Sequence, residues 1–113
     1  MSNQLVWVDI LADDLDRAIA FYTAVLGEEV VKQTYSGFTL GLLPHAGTHV
    51  SGCLVKSQDN RPSPQGPMIY LNVTGRLDAA VAAVGATGGK LLQGKHQIGE
   101  HGFRALVLDS EGN

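Results

Sequence analysis

The side chains best suited to chemistry stand on the first predicted strand of the chain, Gln4 to Leu11. Successive side chains of a strand face opposite ways, so Trp7 and Asp9 share one face while Val8 and Ile10 share the other. The apolar face should pack beneath a helix, which leaves Trp7 and Asp9 facing a cavity or a subunit contact. A carboxylate in a partly apolar cavity is suited to acid–base catalysis or to binding a cationic ligand. The alternative is that Asp9 is paired with an arginine or exposed at a sheet edge.

Aromatic and polar side chains on other predicted strands extend this candidate site. Aromatic rings offer flat walls on which a planar ligand stacks, although strand aromatics also serve as simple core. Strand alternation favours Trp7 and Tyr70 as pocket lining, and Tyr70 and Asn72 add polar groups to one face of a strand predicted at Met68 to Val73. Cys53 shares the cavity face and is interpreted as an inert small side chain. We therefore predict a ligand-binding set that consists of Trp7, Asp9, Phe38, Cys53, Met68, Tyr70, Asn72 and Phe103.

The four histidines do not form a recognisable metal motif. His45 and His49 have the i, i+4 spacing of a helical metal pair, but the segment PHAGTH is a turn sequence, in which that spacing has no helical geometry. His96 and His101 flank a loop that is expected to border the cavity. We interpret them as solvated loop residues, with a pH-sensitive gate or ligand contact as the alternative.

The clearest element of the chain is an amphipathic helix predicted over Asp13 to Gly27. A carboxylate at Asp13 or Asp14 caps its start, and Gly27 ends it in the left-handed conformation. Its apolar residues recur at helical spacing and form one stripe. The stripe consists of Leu15, Ala18, Ile19, Tyr22, Val25 and Leu26.

A weaker copy of this helix covers Arg76 to Gln93, where the pattern Leu-Asp-x-Ala returns. Such a repeat in a short chain indicates two modules of one supersecondary pattern. Strands predicted over 28–35, 37–43 and 49–56 complete a first βαβββ module, and a Pro-rich linker follows. We predict an α+β fold with module one at 1–56, the linker at 57–67 and module two at 68–113. The second module has strands predicted over 68–73, 90–93 and 103–109, and we expect its closing strand beyond Asn113.

The bulk properties exclude several classes of function. A chain of 113 residues, 44% of them apolar, suits one compact domain. Its net charge of -3 and eight scattered basic residues argue against nucleic acid. No apolar run is long enough to cross a bilayer. One cysteine and the lack of a signal-like start lead us to expect a cytoplasmic protein.

Three segments resemble the vicinal oxygen chelate superfamily, which includes glyoxalase I, bleomycin-resistance proteins, fosfomycin-resistance enzymes and extradiol dioxygenases. They are DLDRAIAFYTAVLG, YLNV followed by LDAAVAAVGATGGKLL, and IGEHGFRALVLDSEGN. The chain is most similar to small bacterial glyoxalase-related members. The resemblance implies two βαβββ modules that form a curled mixed sheet around a cavity, often at a dimer interface.

The resemblance also implies where metal-dependent members hold a divalent ion. The first two implied positions carry Trp7 and Met68 (or Ile69 in a shifted alignment), none of which is a suitable ligand. The implied carboxylate position falls in Ser51 to Leu54, which contains no Asp or Glu, and the fourth position lies beyond Asn113. We therefore expect a homodimeric small-molecule-binding protein without a metal cofactor. The alternatives are a metal-dependent lyase or dioxygenase, and a structural or regulatory dimer.

Overall fold

The computed structural model describes residues 4–47 and 51–113, apart from the side chain of His101. The architecture of this part of the chain is α+β, as predicted, with two α-helices, a four-stranded mixed sheet and a two-stranded sheet. In chain order the elements are β1 (Trp7–Leu11), α1 (Leu15–Leu26), β2 (Val31–Tyr35), β3 (Phe38–Leu42), β4 (Ser51–Val55), α2 (Leu77–Ala86), β5 (Lys90–Gln97), a 3-10 turn (Gly99–His101) and β6 (Phe103–Leu108).

The four-stranded sheet has the order β1-β4-β3-β2. β1 and β4 are parallel, and their register puts Trp7 beside Ser51 and Asp9 beside Cys53. The other two ladders are antiparallel. The first half of the chain therefore has the predicted element order βαβββ. The last of these strands was predicted to begin at His49, but 48–50 lie outside the described residues, and β4 is described from Ser51.

α1 begins and ends close to its predicted limits. The Asp14 carboxylate accepts a hydrogen bond from the backbone N–H of Arg17 at 3.0 Å, which satisfies a donor that has no partner within the helix. Gly27 adopts a φ of 74° and donates its N–H to the carbonyl of Thr23 at 3.0 Å. Glycine tolerates this left-handed conformation because it has no Cβ. Both ends of α1 are thus determined by local residues.

The core lies between the two helices and one face of the four-stranded sheet. Ile10 and Leu54 are almost completely buried, and Val8 packs against the same cluster, as the strand alternation predicts. Phe21 was not included in the predicted stripe, yet only 1% of it is exposed. It is buried because α1 is covered by α2 as well as by the sheet. The helix therefore buries a wider stripe than periodicity alone indicates.

The second half of the chain contains α2 and the antiparallel hairpin of β5 and β6. β5 extends to Gln97, beyond the predicted limit of Gln93, because β6 pairs with it over most of that length. The prediction of a strand at Met68 to Val73 is wrong for the described structure, in which this segment is irregular. β1 is a strand because β4 pairs with it, and no described strand pairs in that way with 68–73. Neither described helix has the length and apolar run of a bilayer span.

The turn at 109–113 connects the end of β6 to the first half of the chain. Asp109 is buried and accepts a hydrogen bond from the hydroxyl of Tyr22 at 2.7 Å. Burial, together with the charge and hydrogen bond of Asp109, raises the pKa of Tyr22 far above its ordinary value. Asn113 donates to the carbonyl of Leu11 at 2.8 Å. These contacts hold the turn against β1 and α1.

Glu111 makes the most extensive contacts of this turn. Its carboxylate accepts hydrogen bonds from the backbone N–H groups of Asp13 at 2.9 Å and Asp14 at 2.8 Å, and from Arg17 Nε at 2.6 Å. Burial opposes ionisation of Glu111, but the bonds from Arg17, Asp14 and Ser110 outweigh it and lower the pKa to about 2. The carboxylate of Glu111 therefore satisfies the backbone donors of the N-cap residue Asp14 and of Asp13 before it.

Candidate functional site

Trp7, Asp9 and Cys53 form one hydrogen-bonded cluster on the face of the four-stranded sheet that lies away from the helices. Trp7 Nε1 donates to Asp9 Oδ1 at 3.0 Å, and the Cys53 thiol donates to the same oxygen at 3.3 Å. No lysine or arginine among residues 4–47 and 51–113 forms an ion pair with Asp9. Asp9 is exposed on an edge strand. Two neutral donors thus orient its carboxylate and leave Oδ2 open to a ligand.

The Cys53 thiol is a hydrogen-bond donor in this cluster. Burial raises its pKa to about 11, and the hydrogen bond to Asp9 and the negative charge of Asp9 act in the same direction. The contact with Trp7 acts in the opposite direction but is smaller. The thiol is therefore protonated near neutral pH and lacks the thiolate that nucleophilic attack requires.

Phe38 lies on the same face of the sheet but at its other end. Leu42 pairs with Cys53, and Phe38 is four residues further along β3. At 3.3 Å per residue this is roughly 13 Å from the level of Cys53. The exposed Phe38 ring borders a separate groove beside Val55 and Arg61. The structure does not bring Phe38 together with Trp7 and Asp9.

Met68, Tyr70 and Asn72 all lie in the irregular segment. Met68 and Tyr70 are exposed, and the Tyr70 hydroxyl accepts a hydrogen bond from Arg104. The side-chain oxygen of Asn72 accepts from the backbone N–H and the hydroxyl of Thr74 at 2.9 and 2.6 Å. This arrangement closes a local turn. Asn72 therefore orders its own backbone, whereas Met68 and Tyr70 are presented to solvent.

Phe103 lies on the face of β6 opposite Arg104. Val107 is four residues after Phe103 and therefore lies on the same face, where it packs against the core. The ammonium group of Lys95 lies 5.4 Å from the centre of the Phe103 ring and forms an ion pair with Asp78 of α2 at 3.4 Å. The structure therefore places Phe103 on the helix side of its sheet, apart from the rest of the predicted set.

An apolar cavity of 420 Å³ lies between β1, segment 68–73 and β6 and reaches the inner sides of both helices. Asp9 and Met68 are the predicted site residues that line it. Leu71, Leu92 and Leu106 supply much of the apolar wall. The volume falls within the usual range for pockets that hold small organic molecules. Asp9 thus belongs both to the cluster on the open face and to the lining of this cavity.

Sequence reasoning missed Arg104, which lies directly opposite His96 in the β5–β6 ladder. Arg104 Nε donates to His96 Nε2 at 2.9 Å, and a second guanidinium nitrogen donates to Tyr70. The sequence signal was alternation along β6, which puts Arg104 on the same face as Leu106. That signal identifies a site only once the position of Tyr70 is known, because Tyr70 lies on a separate segment.

The remaining histidines contribute no described ligand cluster. His45 Nδ1 bonds the carbonyl of Gly47 at 2.9 Å in an exposed turn. His49 lies outside the described residues, so its predicted relation to His45 stays a prediction. His96 faces Arg104, and the side chain of His101 is not described.

The side chains at the implied metal-ligand positions do not fit a divalent ion. The Trp7 indole nitrogen only donates, and Met68 offers a thioether, which is a poor ligand for such ions. Cys53 lies beside Asp9, but these are only two side chains. Among the described residues no three His, Cys, Asp or Glu side chains are grouped as metal ligands would be. We therefore derive no chemistry through a metal.

The helix-free sheet face, the cavity beside it and the βαβββ order of the first half define an α+β domain of the glyoxalase-like kind. The family model of the Glyoxalase/Bleomycin resistance protein/Dioxygenase superfamily matches residues 4–113. The chain belongs to this superfamily.

Solved structures share this fold. A glyoxalase/bleomycin resistance protein from Albidiferax ferrireducens is 18% identical, with a TM-score of 0.75, and the match covers 98% of this chain and 93% of that one. A glyoxalase-related enzyme from Fulvimarina pelagi is 16% identical over 98% of this chain and 84% of that one, with a TM-score of 0.65. Glyoxalase I from Zea mays is 20% identical over 94% of this chain and 42% of that one, with a TM-score of 0.59. No curated protein sequence matches the chain.

Proposed function

We propose that this protein binds a small organic molecule at Asp9, without a resident metal ion. The observation that carries the proposal is the oriented carboxylate of Asp9, which receives hydrogen bonds from Trp7 and Cys53. It belongs to a β1 residue that also lines an apolar cavity. Few polar groups beside a mostly apolar wall are typical of small-molecule sites. Because Oδ2 of Asp9 is available as an acceptor, the bound molecule carries an N–H, O–H or cationic group at that point.

The two halves of the chain are, in this proposal, copies of one pattern around the cavity. Both helices begin with Leu-Asp-x-Ala, and each is followed by an antiparallel pair of strands. Apolar side chains at Leu71 and Leu106 of the second half face the cavity that also reaches β1. The cavity therefore has walls from both copies.

We propose in addition that the protein is a homodimer. Val31 and Tyr35 on the edge strand β2 and Phe38 on the adjacent β3 are exposed on the face without helices. Exposed aromatic and apolar side chains in one region favour a subunit contact. Light scattering coupled to size-exclusion chromatography tests this directly, and a monomer at micromolar concentration would reject it.

The ligand proposal is tested by fluorescence, because Trp7 is the sole tryptophan of the chain. A panel of neutral, cationic and anionic aromatic compounds is titrated against the purified protein, and we expect saturable quenching by at least one of them. Asp9→Asn should weaken binding of a cationic compound about 10-fold, which corresponds to about 1.4 kcal/mol. Asp16→Asn removes the same charge from an exposed position on α1 and serves as the matched control.

Three results would reject the proposal. The first is a panel that leaves Trp7 fluorescence unchanged, and the second is an Asp9→Asn variant that binds as tightly as the parent protein. The third is elemental analysis that finds one tightly held Ni, Zn, Mn or Fe ion per subunit, which would favour a metal-dependent lyase or dioxygenase.

A further inference from the structure

Arg104 is a positively charged side chain whose described partners are all neutral. It is partly buried on β6, where Nε donates to His96 Nε2 at 2.9 Å and another guanidinium nitrogen donates to the Tyr70 hydroxyl. Among residues 4–47 and 51–113, no carboxylate forms an ion pair with it. Its charge therefore has no counterion in the described protein.

The His96 ring is neutral in this arrangement. Its Nδ1 lies 2.8 Å from the carbonyl oxygen of Gly94, which only accepts, so Nδ1 carries the proton. Nε2 is consequently the acceptor for the guanidinium of Arg104. His96 thus orients Arg104 without neutralising it, and the remaining N–H groups of the guanidinium stay available.

The other arginines have partners that account for them. Arg17 pairs with Glu111 and Arg61 pairs with Asp13. Arg76 donates to the carbonyl of Val25 in the last turn of α1, where the helix dipole favours a cation. Arg104 differs because its partners are a tyrosine hydroxyl and a histidine.

Arg104 stands at one end of the cavity. It directly precedes Ala105, which lines the cavity, and Tyr70 lies between the lining residues Ile69 and Leu71. Alternation puts Arg104 on the face of β6 that Leu106 occupies. The guanidinium carbon lies 5.8 Å from the centre of the exposed Tyr70 ring. A ligand whose body enters the cavity would have this cation and this ring beside it.

We propose that Arg104, with Tyr70 and His96, binds the anionic group of the ligand, so that the ligand class is an organic acid with an apolar or aromatic body. A guanidinium presents a planar fork that matches two oxygens of a carboxylate or phosphoryl group. The assignment rests on the proposed small-molecule site, because it names the class of molecule bound there.

The experiment compares benzoate, phenyl phosphate and neutral benzamide in NMR titrations, which follow the ring resonances of Tyr70 and His96. We expect benzoate or phenyl phosphate to bind at least 10-fold more tightly than benzamide, and the tighter of the two identifies the anionic group. Arg104→Gln should reduce the affinity for that anion about 10-fold. Arg104→Lys, which retains the charge but loses the planar fork, should have an intermediate affinity.

Lys95→Gln is the matched control, because it removes the same charge from the residue next to His96, on the face that carries Phe103. We expect it to change the affinity less than 2-fold. Equal binding of benzoate, phenyl phosphate and benzamide to the parent protein would overturn the proposal without any variant. An equal loss in Lys95→Gln and Arg104→Gln would also overturn it, since it would reveal a general field of positive charge.

The outcomes separate this assignment from the proposed function. If the Trp7 fluorescence responds to the compound panel while the Tyr70 and His96 resonances show no preference for anions, the anion site fails and the Asp9 site stands. If the resonances show that preference while Trp7 fluorescence never responds, the Asp9 site fails and the anion site stands.

Discussion

Replacement of Glu111 by alanine should destabilise the protein through the N-terminus of a helix that is distant in sequence. The Glu111 carboxylate accepts hydrogen bonds from the backbone N–H groups of Asp13 and Asp14 and from Arg17. Its side chain is completely buried. The alanine variant therefore removes the partner of two backbone donors at the start of α1.

The expected loss of stability follows from the two backbone hydrogen bonds that Glu111 accepts. A hydrogen bond to a charged group contributes roughly 1.5–3 kcal/mol to stability. Because water reaches the exposed Asp14 N–H in the variant, we take the low end and expect a total loss of about 2–3 kcal/mol. At about 4 °C for each kcal/mol in a domain of this size, the melting temperature should fall by roughly 8–12 °C.

The loss should depend on pH with a defined sign. The pKa of Glu111 is lowered from 4.5 to about 2 in the folded protein, so ionised Glu111 stabilises the fold fully above the higher value. Its contribution should disappear as the pH falls from 4.5 towards 2, and the stabilities of the parent and of Glu111→Ala should converge there. Urea unfolding, followed by Trp7 fluorescence and far-UV circular dichroism, measures the stability of the parent and of the variant at each pH.

Two variants sharpen the test. Glu111→Gln retains an oxygen that accepts from the backbone N–H groups and should therefore lose less stability than Glu111→Ala. Asp16→Asn removes a carboxylate from an exposed pair with Lys32 and should change stability by no more than about 0.5 kcal/mol. A Glu111→Ala variant as stable as the parent at neutral pH, or one whose deficit persists at pH 2, would refute the reasoning.

Three further predictions concern the sheet and the core. Cys53 should react slowly with iodoacetamide near neutral pH, since its pKa is raised to about 11. Asp9→Asn should speed the reaction by lowering that pKa. The rate is measured by mass spectrometry, and an unchanged rate in the variant would contradict the prediction. Gly89→Ala would put a Cβ 2.4 Å from the ring of Phe21 and should cost about 1–3 kcal/mol in urea unfolding. The same change at Gly94, where a Cβ meets nothing within 4 Å, is the control. Leu54→Ala should cost about 2–5 kcal/mol because the side chain is completely buried, and a smaller loss would indicate that the core refills the space.

The features predicted correctly from the sequence depend on neighbours along the chain. Asp14 and Gly27 end α1 through contacts within one turn. Alternation along β1 correctly put Asp9 on the face opposite the buried Ile10. Local sequence determines such features because their donors, acceptors and faces all belong to one short segment.

The candidate site was only partly predictable, because its residues belong to several segments that are distant in sequence. Trp7, Asp9 and Cys53 were expected on one face, and the parallel register of β1 and β4 brings them into contact. Phe103 was assigned to the same site, but it lies on the helix side of β6 beside Lys95. Alternation divides a strand into two faces, but it does not say which face a neighbouring helix covers.

Sequence by itself thus determined the superfamily resemblance, the α+β class and the position of α1. Tertiary structure alone decided that 68–73 is irregular, that Phe21 is buried between the helices and that Glu111 satisfies the start of α1. It also decided that Arg104 meets Tyr70 and His96. These outcomes depend on which distant segments become neighbours, and residue periodicity carries no information about that choice.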